Sequence, residues 1–328
     1  MHNLDEIKKP SSFSFNNPQR CQSRCITCNA WETPSSVMEN ELTTQEWKDI
    51  IQKIHNWVGD YAFIFSGGEP LLRDDIFEIA QFAKSIGVTP DIITNGLALS
   101  NKELLEKLVR SDFRTVTFSL NAIENPRLHI ESRGREDSFK KTVDAIQNFN
   151  YLNKKLNMGK WISLSMVVMP SNLSEIKPMA EFAKSEGIGI CYQLLDNGDA
   201  FIPPPEAMLP SGGFSCEITD KALDAINLMV ELKKQGFPIY NGDPQLEAFK
   251  TLVTNPSDIS NLVCQVGYNN FSIDPYGYVR ICFCFDHIGN LRDELPEKLW
   301  VNEKAFDLRN KIASCTRKCK LLNCNFKE

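Results

Sequence analysis

Six short apolar runs, separated by stretches of helical periodicity, fill residues 11 to 195. The runs are 11–17 (SSFSFNN), 61–66 (YAFIFS), 88–94 (VTPDIIT), 113–120 (FRTVTFSL), 161–168 (WISLSMVV) and 188–195 (IGICYQLL). Between the first two, residues 41–58 place Trp47, Ile50, Ile51 and Ile54 on one stripe, and Thr43 with Glu46 forms a capping box. Residues 76–87 read as a helix that stops on Gly87. Residues 100–110 open on Ser100 and Glu103, 138–149 align Phe139, Val143, Ile146 and Phe149, and 173–187 supply a further helix. Strand–helix–strand units in succession require parallel strands with right-handed crossovers. Such a sheet carries its chemistry on the loops that follow the strand C-termini.

The loops in question are unusual. CQSRCITC (21–28) follows the first strand, SGGEP (66–70) the second, TNG (94–96) the third, and SLN (119–121) ends the fourth. Eleven cysteines are many for a chain that begins MHNLDEIKKPSSF, with no apolar stretch for a signal peptide. That start predicts a cytoplasmic protein, in which thiols stay reduced and clustered cysteines indicate metal binding or catalysis. The formal net charge of −6 and the lack of a dense basic run exclude the electrostatic footprint of a nucleic-acid binder. No apolar run is long enough for a membrane span.

Three thiols on one short loop suit an iron–sulfur cluster, which is held by cysteine thiolates. A zinc knuckle is the other reading, but zinc sites pair one CxxC with another or with histidines, and no such pair follows locally. With Cys21, Cys25 and Cys28 as ligands to a [4Fe–4S] cluster, one iron stays open.

CxxxCxxC after the first strand and GGEP after the second together resemble the signature of the radical S-adenosylmethionine (SAM) superfamily. The resemblance covers residues 12–200 and implies an α/β fold, the family's partial (β/α)6 TIM-like barrel. It further implies that SAM chelates the open iron and is cleaved reductively to a 5′-deoxyadenosyl radical that abstracts hydrogen from a substrate. A flavodoxin- or ferredoxin-type donor would supply the electron. On this resemblance Gly67, Gly68, Glu69 and Pro70 form the SAM-binding turn, with Glu69 suited to the ammonium of SAM. Ser119 and Asn121 stand where relatives place Ser-x-Asp near the ribose, with Asn for Asp here. Arg133 matches an arginine that relatives use on the SAM carboxylate, a sound bidentate pairing. Thr94 and Asn95 line the site or form its turn. Of Ser163 and Ser165 on the fifth strand, one faces the adenosine and the other packs; Ser165 is the candidate carried forward.

Beyond residue 200 the alternation breaks. FIPPPEAMLPSGGFS reads as a loop or linker, helices are expected at about 218–235 and 244–253, and the tail is short strands, turns and one helix at 303–313. The implied organisation is an arm at 1–11, the core at 12–200, linking elements at 201–260 and a small domain at 261–328. Cys264, twelve residues, Gly277, four residues and Cys282, then Cys284, Cys315, Cys319 and Cys324, resemble the SPASM/twitch extension of the same superfamily. That extension holds auxiliary clusters; a single auxiliary [4Fe–4S] cluster is implied here. Cys264, Cys282, Cys319 and Cys324 are its expected ligands, with Cys315 competing. One zinc held by the tail is the alternative. So little apolar sequence there makes the metal centre a source of stability.

An auxiliary cluster can take the electron left on a substrate radical, which makes net oxidation possible. Peptide-modifying relatives carry an N-terminal leader-binding domain, and the cysteine loop here begins at residue 21. The expected substrate is therefore small and polar: a sugar, an aminocyclitol or similar. The alternative is an epimerase or peptide-modifying enzyme in which Cys191, Cys216 or Cys284 donates a hydrogen atom. Asp196 and Asp199, past the sixth strand, are candidate substrate-facing acids, and Asp286 and Arg280 lie beside the tail cysteines.

Overall fold

The computed structural model describes residues 7–28, 30–32, 39–195, 216–260, 263–321, 323 and 325–326, without the side chains of 216–219, 256, 260 and 318. Its elements run β1 (Ser12–Asn16), α1 (Thr44–Val58), β2 (Ala62–Ser66), α2 (Ile76–Ser85), β3 (Thr89–Thr94), α3 (Lys102–Arg110), β4 (Thr115–Ser119), α4 (Pro126–Arg133), α5 (Ser138–Lys155), β5 (Trp161–Val168), α6 (Ile176–Glu186) and β6 (Gly189–Leu194). Then follow α7 (Cys216–Lys234), α8 (Asp243–Thr254), α9 (Pro256–Ser260), α10 (Val266–Asn269), β7 (Asn270–Ile273), β8 (Tyr278–Arg280), β9 (Gly289–Asn290), α11 (Pro296–Val301) and α12 (Glu303–Ala313).

The nine strands among the described residues belong to one sheet, in the order β6-β5-β4-β3-β2-β1-β7-β8-β9. The first six are parallel and adjacent in sequence order. Right-handed crossovers that always step the same way put the helices between β1 and β6 on one face and curl the sheet around the other. Strand side chains alternate accordingly. Phe13 and Phe15, Phe63 and Phe65, Val116 and Phe118, Leu164 and Met166, Ile190 and Tyr192 are buried on the helical face. The opposite face is hydroxylic: Ser14, Asn16, Ser66, Thr117, Ser119, Ser163 and Ser165 point there, by the period of two.

Stacking of Phe15 on Phe63, ring centroids 4.2 Å apart, and on Trp47 at 5.1 Å locks α1 over β1 and β2. The Thr43–Glu46 capping box forms as the sequence predicts. The start of α3 differs: Asn101, not Ser100, accepts the N–H groups of Glu103 and Leu104. Ser100 instead donates to the carbonyl of Leu97.

The tail is not a body apart. β7 pairs in parallel with β1, Ser12 opposite Asn270 and Phe15 opposite Ile273. The β7–β8 hairpin therefore extends the core sheet. At the far edge, Ile190 of β6 exchanges hydrogen bonds with residues 238 and 240. The last described residues cross between these edges. Asn323 donates to Gln193 of β6 at 2.6 Å, Gln245 of α8 holds Asn323 at 2.7 Å, and Asn325 accepts from Asn270 of β7 at 3.2 Å. The C-terminal segment thus bridges the gap that six strands leave open. Among the described residues no helix is long and apolar enough to cross a membrane.

Candidate active site

Cys21, Cys25 and Cys28 lie on the loop after β1, and three neighbouring segments fix that loop. The SGGEP turn holds its entry: Gly68 N–H donates to Pro18 O at 2.7 Å, and Glu69 N–H to Arg20 O at 3.0 Å. A Cβ on Gly68 would stand 2.1 Å from the Arg20 carbonyl oxygen. The two glycines are therefore required by the chain's own backbone, at the approach to Cys21. α4 holds the middle: Arg24 N–H donates to Arg133 O at 2.9 Å and Ile26 N–H to Ser132 O at 3.1 Å. Gly134 ends α4 at φ 64°, and a Cβ there would lie 2.2 Å from Arg24 O. Arg135 donates to Gln22 O at 3.2 Å, and the Trp31 indole closes the far end on Cys28 O at 2.8 Å.

Each sulfur has its own donor. Asn95 Nδ2 lies 3.5 Å from Cys21 Sγ, Arg133 Nη1 3.6 Å from Cys25 Sγ, and the Ala30 N–H 3.4 Å from Cys28 Sγ. Burial pushes the Cys21 thiol up to about 11, and Glu69 and the other two thiols add to the shift; burial also raises Cys28. Bare, Cys21 and Cys28 hold their protons, so loading a metal group must release them.

Glu69 is fully buried. One carboxylate oxygen accepts from Thr94 Oγ1 at 2.8 Å and Leu71 N–H at 3.2 Å, the other from Asn95 N–H at 2.8 Å. Burial pushes this carboxyl up to about 7, against those three hydrogen bonds. Pro70 begins the short 3-10 turn that supplies the Leu71 donor. Thr94 and Asn95, at the end of β3, are thus gripped by the SGGEP turn, which turns Asn95 towards Cys21.

Asn121 is 2 % exposed and serves the scaffold. Its amide donates to Ser132 at 2.9 Å and accepts from Val167 N–H at 3.1 Å, joining β4, α4 and β5. Ser119, Ser165 and Cys191 form one cross-strand row in register on the inner face. Burial pushes the Cys191 thiol up to about 11, so it stays neutral. Ser163 pairs with Thr117 at 2.8 Å one row below. A polar ladder continues to the other side: Ser66 donates to Asn16, Asn16 to Ser272, and Ser14 to Ser272, at 2.7–2.9 Å.

The second set of thiols gathers at the opposite end of the same strands. Cys264 precedes β7, and Cys282 lies just past β8, near the level of Asn270. Cys284 Sγ is 3.8 Å from Cys319 Sγ, hydrogen-bonds Cys282 and draws on Arg317, which together ease loss of its proton. Cys264 accepts from Val266 N–H and senses Cys315, Cys284 and Lys320. Cys284 therefore joins the tail thiols rather than standing over the inner face. Cys324, Asp196 and Asp199 lie outside the described residues, as does the side chain of Cys216. Of the two residues next to the tail cysteines in sequence, Arg280 is spent on Phe285 O at 2.7 Å and Asp286 acts on His287.

Among the described residues no three thiol, imidazole or carboxylate groups converge as tightly as a single metal ion needs. A cubane spreads its thiolates over separate irons, so its ligands need not meet at one point. At the first site the buried Nε of Arg133, the Ser23 hydroxyl and Gln22 Oε1 have no partner among the described residues. Unpaired buried polar atoms around a three-thiol loop fit a site built for a polar cofactor.

Sequence reasoning missed α4's grip on the cysteine loop and the buried Glu175. Glu175 accepts the N–H groups of Ile123, Glu124 and Asn125 at 2.8–3.0 Å and shapes the loop that enters α4. Its signal was a carboxylate at the start of α6, a feature that a sequence offers in many places.

A profile of the radical SAM superfamily matches residues 18–183, and one of the SPASM iron–sulfur cluster-binding domain matches 264–325. The chain is 26% identical over 321 residues to an AdoMet-dependent heme synthase of Methanosarcina barkeri, spanning 93% of this chain and 88% of that protein. It is 24% identical to the PqqA peptide cyclase of Bradyrhizobium diazoefficiens, over 94% of this chain and 77% of that one. Among solved structures, SuiB of Streptococcus suis with bound S-adenosylmethionine shares the fold at TM-score 0.69 and 15% identity, over 92% of this chain and 68% of that one.

Proposed function

The chain belongs to the radical SAM superfamily, with a SPASM iron–sulfur domain at its C-terminal end, and from that premise we propose that it is an oxidoreductase that removes hydrogen from a polar substrate held on the inner face of the sheet. When bound, the first cluster would supply an electron to SAM, SAM the hydrogen-abstracting radical, and the auxiliary cluster an electron sink. Cys21, Cys25 and Cys28 hold the first cluster; Arg133, whose Nε is unpaired, takes the carboxylate of SAM. Asn95, Arg133 and the Ala30 N–H donate to the three sulfurs. Glu69 acts here by positioning Thr94 and Asn95, its carboxylate being engaged within the chain. Cys264, Cys282, Cys284, Cys315 and Cys319, with Cys324, form the pool of auxiliary ligands.

One observation carries this reading. The two thiol sets lie at opposite ends of the paired strands β1 and β7, separated by five residues of β1, about 15 Å of strand. The face between them presents Ser14, Asn16, Ser66 and Ser272. A substrate there meets hydroxyls and carboxamides, which suits a sugar-like molecule or a peptide backbone. The relatives include a heme synthase and a peptide cyclase.

A second reading rests on Cys191. Its neutral thiol shares a cross-strand row with Ser119 and Ser165, where it would return hydrogen to the substrate face and so epimerise the centre instead of oxidising it.

The test is anaerobic reconstitution with iron and sulfide, then SAM and dithionite, with 5′-deoxyadenosine measured by chromatography beside a Cys21→Ala, Cys25→Ala, Cys28→Ala variant. Product above that control, with roughly eight irons per chain, is expected. Zinc in place of iron, without product, overturns the reading.

A further inference from the structure

His129, on α4, is fully buried, in a helix without an apolar stripe. Burial and the neighbouring Arg133 charge push its imidazole down to about 2, so the ring is neutral. Nδ1 accepts the backbone N–H of Asn121 at 3.2 Å, which puts the ring's proton on Nε2. Nε2 has no partner among the described residues. An unpaired buried donor is costly, and an apolar ring would pack against Phe139, 6.1 Å away, without that cost. What the imidazole gains over such a ring is the bond to Asn121.

Three side chains on one face of α4 meet at Asn121. His129, Ser132 and Arg133 stand at i, i+3 and i+4, which brings them to the same side of a helix. His129 takes the Asn121 N–H, Ser132 Oγ takes its amide at 2.9 Å, and Arg133 Nη2 reaches its Oδ1 at 3.5 Å. Val167 N–H also donates to that Oδ1 at 3.1 Å, and Asn172 Nδ2 donates to the Asn121 carbonyl at 2.9 Å. Backbone and side chain of Asn121 are both held, so its Oδ1 is a fixed point for the guanidinium. The second fixed point is Cys25 Sγ, 3.6 Å from Arg133 Nη1. Among the described residues no carboxylate lies within ion-pair distance of Arg133, and Glu69 acts on it only through the field. The cation is held in direction without being neutralised.

We propose that His129 is a positioning residue for SAM: by fixing Asn121 against α4 it sets the direction of the Arg133 guanidinium, and through it the affinity for the SAM carboxylate. This rests on the reading that Arg133 takes that carboxylate. His129 acts through Asn121 alone, and its neutrality keeps a second positive charge away from Arg133.

The test measures the dissociation constant of SAM on the full-length, anaerobically reconstituted chain. Equilibrium dialysis gives one value, and the change that SAM makes in the paramagnetic signal of the reduced first cluster gives another. The variants are Arg133→Lys, His129→Phe, His129→Asn and His129→Gln. Phenylalanine keeps the ring and removes the acceptor. Asparagine returns an acceptor at the place of Nδ1, whereas glutamine puts its amide at the place of Nε2. Arg133→Lys is expected to bind SAM about tenfold more weakly. His129→Phe is expected to lose about tenfold at parental iron content, and His129→Asn to recover most of that loss. Parental affinity in His129→Phe beside a weakened Arg133→Lys overturns the proposal. If His129→Phe fails to load iron, the amide pair decides: Asn close to the parent with Gln weaker supports the role, and equal affinities overturn it. Parental affinity in Arg133→Lys overturns the reading of Arg133 itself, a failure seen in a different variant.

Discussion

The side-chain amide of Asn95 points at the sulfur of Cys21, 3.5 Å away, so the end of β3 touches the first cysteine of the loop after β1. An N–H group aimed at a cluster sulfur favours the more electron-rich cluster and raises its potential. Asn95→Ala is therefore expected to lower the midpoint of the SAM-associated cluster and slow SAM cleavage, with iron content kept. A redox titration reads this; an unchanged midpoint sinks the idea.

Gly68 has no room for a side chain because Arg20 O would lie 2.1 Å from its Cβ. Gly68→Ala must push the entry to the cysteine loop aside, at a cost of about 2–3 kcal/mol. Gly59, unlike Gly68, has positive φ, at 86°, but faces open space, so Gly59→Ala should cost only the backbone strain, about 1 kcal/mol. Urea denaturation of both variants without metal, beside the parent, measures the difference. Equal losses would mean that the loop yields freely.

Glu69 accepts three hydrogen bonds on two oxygens. A glutamine can offer only one of those oxygens, and its NH2 group would confront a donor. Glu69→Gln is expected to lose about 1–3 kcal/mol of stability and to release Asn95 from Cys21. Thermal melts read the first effect, and the midpoint of the SAM-associated cluster reads the second. A variant with parental melting and parental midpoint would refute the positioning role.

Two of the three candidate hydrogen-donor cysteines separate by place. Cys284 lies 3.8 Å from Cys319 among the tail thiols, whereas Cys191 lies on the inner face beside Ser165. Cys284→Ala is expected to alter the auxiliary cluster's paramagnetic signal. Cys191→Ala should leave both clusters and the yield of 5′-deoxyadenosine in place, and abolish deuterium uptake from solvent if the reaction is an epimerisation. A normal auxiliary signal in Cys284→Ala would return Cys284 to the list of donors.

Glu46 on α1 pairs with Arg292 past β9 at 2.7 Å, tying core to tail. The guanidinium holds its carboxyl down at about 2 against an ordinary 4.5. A lowered acid stabilises above its unfolded pKa, and the effect fades as pH falls towards the folded value. Both groups are about one-third exposed, so solvent screening keeps the contribution below about 1 kcal/mol. The melting difference between the parent and Glu46→Gln should be largest above pH 5 and shrink steadily towards pH 3. A gap that does not depend on pH would show that the pair contributes no charge-dependent stability.

The six core strands were legible because each is a compact apolar run between helical periods, and β1 to β6 fall within two residues of those runs. The Thr43–Glu46 cap was legible because both of its residues are local. α4 was not. It buries His129 and Ser132 rather than an apolar stripe, so it has no hydrophobic period, and yet its carbonyls hold the cysteine loop. Pairing of β7 with β1 joins residues some 258 positions apart, beyond any local pattern. The SGGEP turn carried a true signal with an incomplete meaning. Paired glycines announced a close approach, and the partner proved to include the chain's own Asn16–Arg20 segment. Asn121, expected near the ribose, has its amide on Ser132, Val167 and Arg133.

β1 is the second strand's neighbour from the moment both are synthesised, but its other partner, β7, emerges from the ribosome about 250 residues later. Until then one side of β1 presents an unpaired backbone edge, the kind of surface that invites pairing with another chain. Because β1 leads directly into the cysteine loop, the first metal site is supported on both sides only once the tail has been made. A truncated chain that ends near residue 260 would therefore keep all three loop cysteines and still carry them beside an open, aggregation-prone edge.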